Sequence, residues 1–154
     1  MEKESMSFSI HIFATDIDQN ALTRGREANY SPDDIRNVPY GFIEKYFVKN
    51  LCQFKVRDEI IRHVHFSVMD ILDKHRHAPA ESVFGDFDLI ACRNVLIYFK
   101  TDYQEKILKN LFLSLSPGGY LMLGETETPG SVYREKFRQA GDCGHIYQKQ
   151  GDDS

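Results

Sequence analysis

Residues 87–92 read FDLIAC, an apolar run that leads straight into Arg93-Asn94. Strands covered on both faces read this way, and such strands belong to mainly parallel sheets with helices packed against them. The rest of the chain keeps to that plan. Residues 7–14 predict a first strand, with Phe8, Ile10 and Ile12 alternating and Phe13 and Ala14 extending the apolar run. Residues 63–68 (HVHFSV) alternate as a second main strand and end at Met69-Asp70. Residues 120–123 and 145–148 predict two more, and 53–56 a small one. Helical segments lie between them. Asp18 is placed to N-cap the helix that carries Ala21, Leu22 and Ala28. Ser31-Pro32-Asp33-Asp34 has the form of a second helix start, cut short by Pro39 and Gly41. Thr101 opens a long helix with Gln104 in the capping-box position and Ile107, Leu108, Leu111, Phe112 and Leu115 on its apolar face. Ser116-Pro117-Gly118-Gly119 stops it. Strands alternating with helices predict an α/β domain over residues 7–149. Residues 29–61 break the alternation and form a small inserted subdomain. Residues 74–85 make a polar loop, and 150–154 a disordered tail.

Bulk properties exclude several classes. The 154 residues suffice for one core, and a net charge of −4 argues against a general nucleic-acid binder. No apolar run approaches the roughly 18 residues that a membrane span needs. The opening MEKESMSF has no signal-peptide core, which predicts a cytoplasmic protein. Cys52, Cys92 and Cys143 are an odd number without a C-x-x-C pair, as expected of reduced thiols.

Open parallel sheets bind ligands beyond the carboxyl ends of their strands. Three strand ends here carry polar groups: Asp16 in IFATDIDQNAL, Asp70, and Arg93-Asn94. An acid at such a position commonly accepts hydrogen bonds from both ribose hydroxyls of a nucleoside. Asp16 could instead cap the next helix. Three polar ends in register favour a nucleoside site. Arg93 at the end of a buried strand is costly unless an anion, a polar ligand or a structural acid meets it. Tyr98 follows five residues later, after an apolar turn.

Other features carry blander readings. His63 with His65, or His75 with His77, could contribute to a zinc site, but no acid or cysteine stands at matching spacing, so no metal is expected. The Ser116-to-Gly119 segment lies in the wrong strand-helix order for a phosphate loop. Cys92 could be a nucleophile or simply a small buried residue. Glu125-Thr126-Glu127-Thr128 either borders the site mouth or is a solvated loop.

Taken in order, IFATDIDQNAL, YFVKN, HFSVMDIL, FDLIACRNVLIYF, LSPGGYLMLGETE and HIYQK resemble chemotaxis-receptor methyltransferases of the CheR type, from Ile10 to Lys149. The CRN-x-x-IYF segment is the most specific part. The resemblance implies a Rossmann-like sheet, S-adenosylmethionine as cofactor with S-adenosylhomocysteine as product, and methyl transfer to glutamate carboxylates of a chemoreceptor. It implies that Asp16 binds ribose and that Asp70 and Ile71 contact adenine. Asp70 departs from the Asn usual in the family. Arg93 and Asn94 take cofactor and active-site roles, and Arg93 and Tyr98 are the catalytic candidates.

The family normally carries an N-terminal helical domain, then a first strand with a glycine loop. Only nine residues precede IHIFATD, and none is glycine. In this fold that strand lies between those ending at Asp16 and Arg93, so two strand edges are expected to be unpaired and to promote self-association. Weak cofactor affinity is expected for this chain alone. The short turn at residues 48–52 lacks the glycines of peptide-gripping relatives, so tethering of a receptor tail is not expected. The alternative to an enzyme is a docking or regulatory module of a larger chemotaxis protein. A nicotinamide-binding domain is disfavoured, because G-x-G-x-x-G is absent.

Overall fold

The computed structural model describes residues 8–73, 86–141 and 144–151. The expected loop at 74–85, His75, His77, Cys143 and the last three residues of the tail lie outside them. The chain divides into two compact units, Met1–Met69 and Asp70–Ser154. Among the described residues no helix is long and apolar enough to cross a membrane.

In the first unit β1 (Ile12–Asp16) and β5 (Val64–Val68) pair in parallel, from Ile12 opposite Val64 to Asp16 opposite Val68. The first strand thus starts later than its alternation predicts and takes in Asp16 itself. Between them α1 (Gln19–Glu27) begins at Asp18, whose carboxylate accepts the Asn20 N–H at 2.8 Å, the cap expected from sequence. It ends at Ala28, in a left-handed turn (φ 53°) whose N–H reaches the Arg24 carbonyl. The helix lies close on β5. A β-carbon at Gly25 would stand 2.6 Å from the Phe66 ring, and Arg26 reaches past that ring to donate to the Phe66 carbonyl at 2.8 Å.

Residues 29–61, where the alternation breaks, hold a three-stranded antiparallel sheet of β2 (Asn29–Tyr30), β3 (Phe47–Asn50) and β4 (Gln53–Val56), in the order β2-β4-β3. They also hold α2 (Tyr40–Tyr46) and α3 (Asp58–Ile61). The helix predicted from Ser31 does not form. Its capping contacts do: Asp34 accepts from both the N–H and the hydroxyl of Ser31, at 2.8 and 2.7 Å. Only turns follow before Pro39, too few residues to repay helix nucleation.

In the second unit a sheet of order β6-β7-β9-β8 is built from β6 (Phe87–Cys92), β7 (Leu115–Leu123), β8 (Phe137–Gln139) and β9 (Ile146–Lys149). The β6–β7 pair is parallel, the others antiparallel. Helix α4 (Thr101–Ser114) joins β6 to β7, and the short α5 (Gly130–Tyr133) precedes β8, an edge strand that sequence periodicity did not show. One sheet face, through Cys92, Leu121 and Leu123, packs on Ile107, Leu108, Leu111 and Phe112 of α4, with Leu96, Leu115 and Phe137 closing the core. Each large side chain buried there contributes roughly 1.5–3 kcal/mol. Lys149 holds the end of α4 by donating to the Phe112 and Leu115 carbonyls at 2.9 and 2.7 Å, a cation where the helix dipole favours one.

Coverage of β6 on both faces, expected from FDLIAC, holds on one only. Leu89 is 56% exposed on the face away from α4. The helix stop at Ser116 to Gly119 holds, but those residues bulge within β7. The pairing jumps from Phe87 opposite Leu115 to Leu89 opposite Tyr120. Gly118 takes a left-handed φ of 75° in the bulge, and Gly119 passes so close to the Phe87 carbonyl that a β-carbon would lie 2.9 Å away.

Candidate functional site

Where β6 ends, the chain leaves the sheet through Arg93 and Asn94 and winds into a 3-10 turn, Leu96–Tyr98. Asn94 stands in the left-handed region at φ 55°, which Asn tolerates better than most residues. Reversing the backbone there turns successive N–H groups toward one side, the geometry of an anion-binding nest. The anion is supplied by the protein. Glu127, only 3% exposed, accepts the Asn94 N–H at 2.8 Å on Oε2 and the Leu96 N–H at 2.7 Å on Oε1, with a longer contact from Ile97 at 3.4 Å. Its own turn contributes the Gly124 N–H, 2.7 Å from Oε2. Burial alone would push this carboxyl's pKa up. The N–H groups of Gly124, Asn94, Leu96 and Ile97 outweigh burial and hold it below the usual carboxylate value.

Carbonyls of the same loop are tied from α4. Gln104 donates through Nε2 to the Leu96 and Phe99 carbonyls at 3.0 and 2.9 Å. The capping-box role expected for Gln104 is therefore not the one it has: the helix is capped at Lys100, and the amide reaches back to the loop. Gly124 completes the arrangement. A β-carbon there would collide with the Asn94 side chain and lie 2.7 Å from Glu127 Oε2. Of the acidic stretch after β7, Glu125, Thr126 and Thr128 are exposed and only Glu127 is buried. No single-residue signal marks it apart from its neighbours. The glycine three residues before it is the nearest thing to one.

On this loop Arg93, Asn94 and Tyr98 are exposed, Tyr98 by 80%. The desolvation cost inferred for Arg93 does not arise, since the strand it ends is open at that point. Nor does a structural acid meet it among the described residues. The same unit holds Asp70 and Ile71. Asp70 Oδ1 accepts the Leu72 N–H at 2.8 Å, and Ile71 packs on the core while its carbonyl accepts from Asn110 at 3.1 Å. Asp16 belongs to the first unit. It closes β1, exposed, with Oδ1 accepting the Asp18 N–H at 2.8 Å and Oδ2 without a partner among the described residues.

Cys92, buried at the end of β6, has its thiol pushed up to about 11 by burial and by the Glu127 charge. It stays protonated near neutral pH, and the nucleophile reading gives way to the packing one. Among the described residues no three His, Cys, Asp or Glu side chains gather as a metal site.

The chain is similar in sequence to known proteins. A family described as "CheR methyltransferase, SAM binding domain" matches residues 1–142. Chemotaxis protein methyltransferase 1 of Vibrio cholerae is 42% identical over 144 residues, 83% of this chain and 50% of its own length. The chemotaxis protein methyltransferase of Salmonella typhimurium is 33% identical over 128 residues, 80% of this chain and 43% of that protein. The chain thus spans about half the length of these relatives. Among solved structures, the N-methyltransferase NodS from Bradyrhizobium japonicum aligns with a TM-score of 0.49 at 15% identity, over 92% of this chain and 74% of that one. With its match running from residue 1 to residue 142, the chain belongs to the CheR methyltransferase family, in the part described as the SAM-binding domain.

Proposed function

We propose that this chain forms the cofactor-binding and catalytic part of an enzyme that methylates glutamate carboxylates of a chemoreceptor, in the cytoplasm. The observation that carries the reading is the ordered loop after β6, which presents Arg93, Asn94 and Tyr98 within a chain of this family. S-adenosylmethionine, when bound, supplies the methyl group from a sulfonium centre. The residue types suit it: in the second unit Asp70 and Ile71 follow one another at its start and Tyr98 offers an exposed ring face, and in the first unit Asp16 has a carboxylate oxygen without a partner among the described residues, of the kind that accepts from ribose hydroxyls. A ring facing a cation is worth roughly 0.5–2 kcal/mol. The acceptor glutamate is ionised at neutral pH, with a reference pKa near 4.3, and asks for no general base. What the protein must provide is alignment. Arg93, whose guanidinium has no partner among the described residues, can orient the incoming carboxylate by paired hydrogen bonds.

Transfer of a tritiated methyl group to chemoreceptor-containing membranes tests this, using the chain alone and extended to the full reading frame of its gene. Tyr98→Ala is expected to lower turnover more than cofactor affinity, and Asp16→Ala the reverse. Receptors left unlabelled by both forms would favour the docking-module reading. Self-association belongs to the same proposal. Among the described residues β1 pairs only with β5, and β6 only with β7, so each leaves one edge open. Light scattering that finds only monomers would remove it.

A further inference from the structure

We propose that Glu127 is a positioning residue for methyl transfer. Its hydrogen bonds go to backbone N–H groups, that of Asn94 among them, and to no side chain assigned to substrate or cofactor among the described residues. It acts through the backbone of the loop that carries Arg93, Asn94 and Tyr98, and this inference rests on the transfer reading above. A strand that ends in an irregular turn leaves N–H groups without sheet or helix partners, and each must find an acceptor. Here those of Asn94 and Leu96 converge on one carboxylate from a turn about thirty residues downstream, while that turn spends its own Gly124 N–H on the same group. The two oxygens divide the work. Oε2 ties Asn94 to Gly124, and Oε1 ties the start of the 3-10 turn that ends at Tyr98.

Only an ionised carboxylate can do this. Every contact on it is a donor, so an amide in its place turns an NH2 group toward N–H groups whichever way it flips. Asn94 stays in its left-handed conformation because the carboxylate rewards it. Arg93 precedes that residue and Tyr98 follows four later, so the directions of both depend on it. Alignment is the enzyme's main contribution to this reaction, and a displacement of about 1 Å can cost roughly 10²-fold in rate. A carboxylate that fixes the loop therefore acts on the rate without meeting the reactants.

The test compares Glu127→Gln and the shorter, still anionic Glu127→Asp with the unchanged protein, in the full reading frame. Amide hydrogen exchange reads the loop directly, and steady-state methyl transfer separates kcat from the KM for S-adenosylmethionine. Glu127→Gln is expected to speed exchange at residues 94–97 at least about tenfold and to lower kcat by roughly 10–100-fold, with KM changed far less. Protection in α4 and β7 should be kept. Glu127→Asp is expected to fall between, and it serves if the glutamine variant does not fold. Unchanged exchange at 94–97 overturns the clamp. Faster exchange with unchanged kcat overturns the positioning role. If the unchanged protein transfers no methyl group, the transfer reading fails and the positioning role falls with it, while exchange at 94–97 still decides whether the clamp exists.

Discussion

Two strand ends in this molecule solve one problem in opposite ways. At the end of β1 the chain looks after itself. Asp16 accepts from Asp18, two residues on, and Asp18 accepts from Asn20, another two on. At the end of β6 the chain is looked after from elsewhere: Glu127 takes the N–H groups and Gln104 holds the carbonyls. A self-contained turn can present a carboxylate with a free oxygen, which suits a group that has only to accept hydrogen bonds from a ligand. A loop gripped on both its donor and acceptor sides suits groups whose direction matters.

Deleting each device should separate them most sharply. Glu127→Ala leaves several backbone donors with their acceptor gone in a buried place, and breaking a buried charged hydrogen-bond network costs roughly 3–5 kcal/mol. Asp18→Ala removes one exposed helix cap, worth about 1 kcal/mol. Urea unfolding of the two variants measures the difference. Equal losses would mean that the β6 loop is held by its apolar contacts and that the carboxylate adds little.

Glycine substitutions probe the same contrast on a smaller scale. Gly124→Ala places a methyl group against the Asn94 side chain and the Glu127 carboxylate, neither of which can retreat without giving up its bonds. Such overpacking costs typically 1–3 kcal/mol. Gly25→Ala meets only the edge of the Phe66 ring, which can turn, and alanine raises helix propensity by about 1 kcal/mol. Thermal unfolding should show a clear loss at residue 124 and little net change at residue 25. A larger loss at residue 25 would show that α1 is as tightly seated as the loop.

The same contrast explains what could be read from the sequence. The Asp18 cap, the α4 face and the strand after it depend on residues a few places apart, and the pattern shows them. The CRN-x-x-IYF segment carries the family resemblance but gives no sign of what shapes the loop. Glu127 looks like the other polar residues of GETET, and its partners outside its own turn are 30 to 33 residues away. Gln104 stands at the position of a capping box without making one, and its amide bonds instead to carbonyls five and eight residues back. Ser31 and Asp34 made the predicted local contacts without the helix, because capping bonds do not supply the length a helix needs. Leu89 misled in the other direction: an apolar run states what a strand tolerates and not what covers it.

Acid gives the gentlest test of the clamp. Glu127 is held below the ordinary carboxylate range in the folded protein, so unfolded chains bind its proton more readily as pH falls. Its contribution to stability is therefore complete above the unfolded value, near 4.3, and is lost as pH drops through the lower folded value. Carbon-13 carboxyl shifts in glutamate-labelled protein should show Glu127 titrating below a reference peptide. The amide shifts of Asn94, Leu96 and Gly124 should move with it, because they report the same proton. A Glu127 titration at or above the reference would mean that burial outweighs the N–H groups. The β6 end would then be the first part of the molecule to loosen in mild acid, and the clamp would act as a weak point where the geometry makes it a strong one.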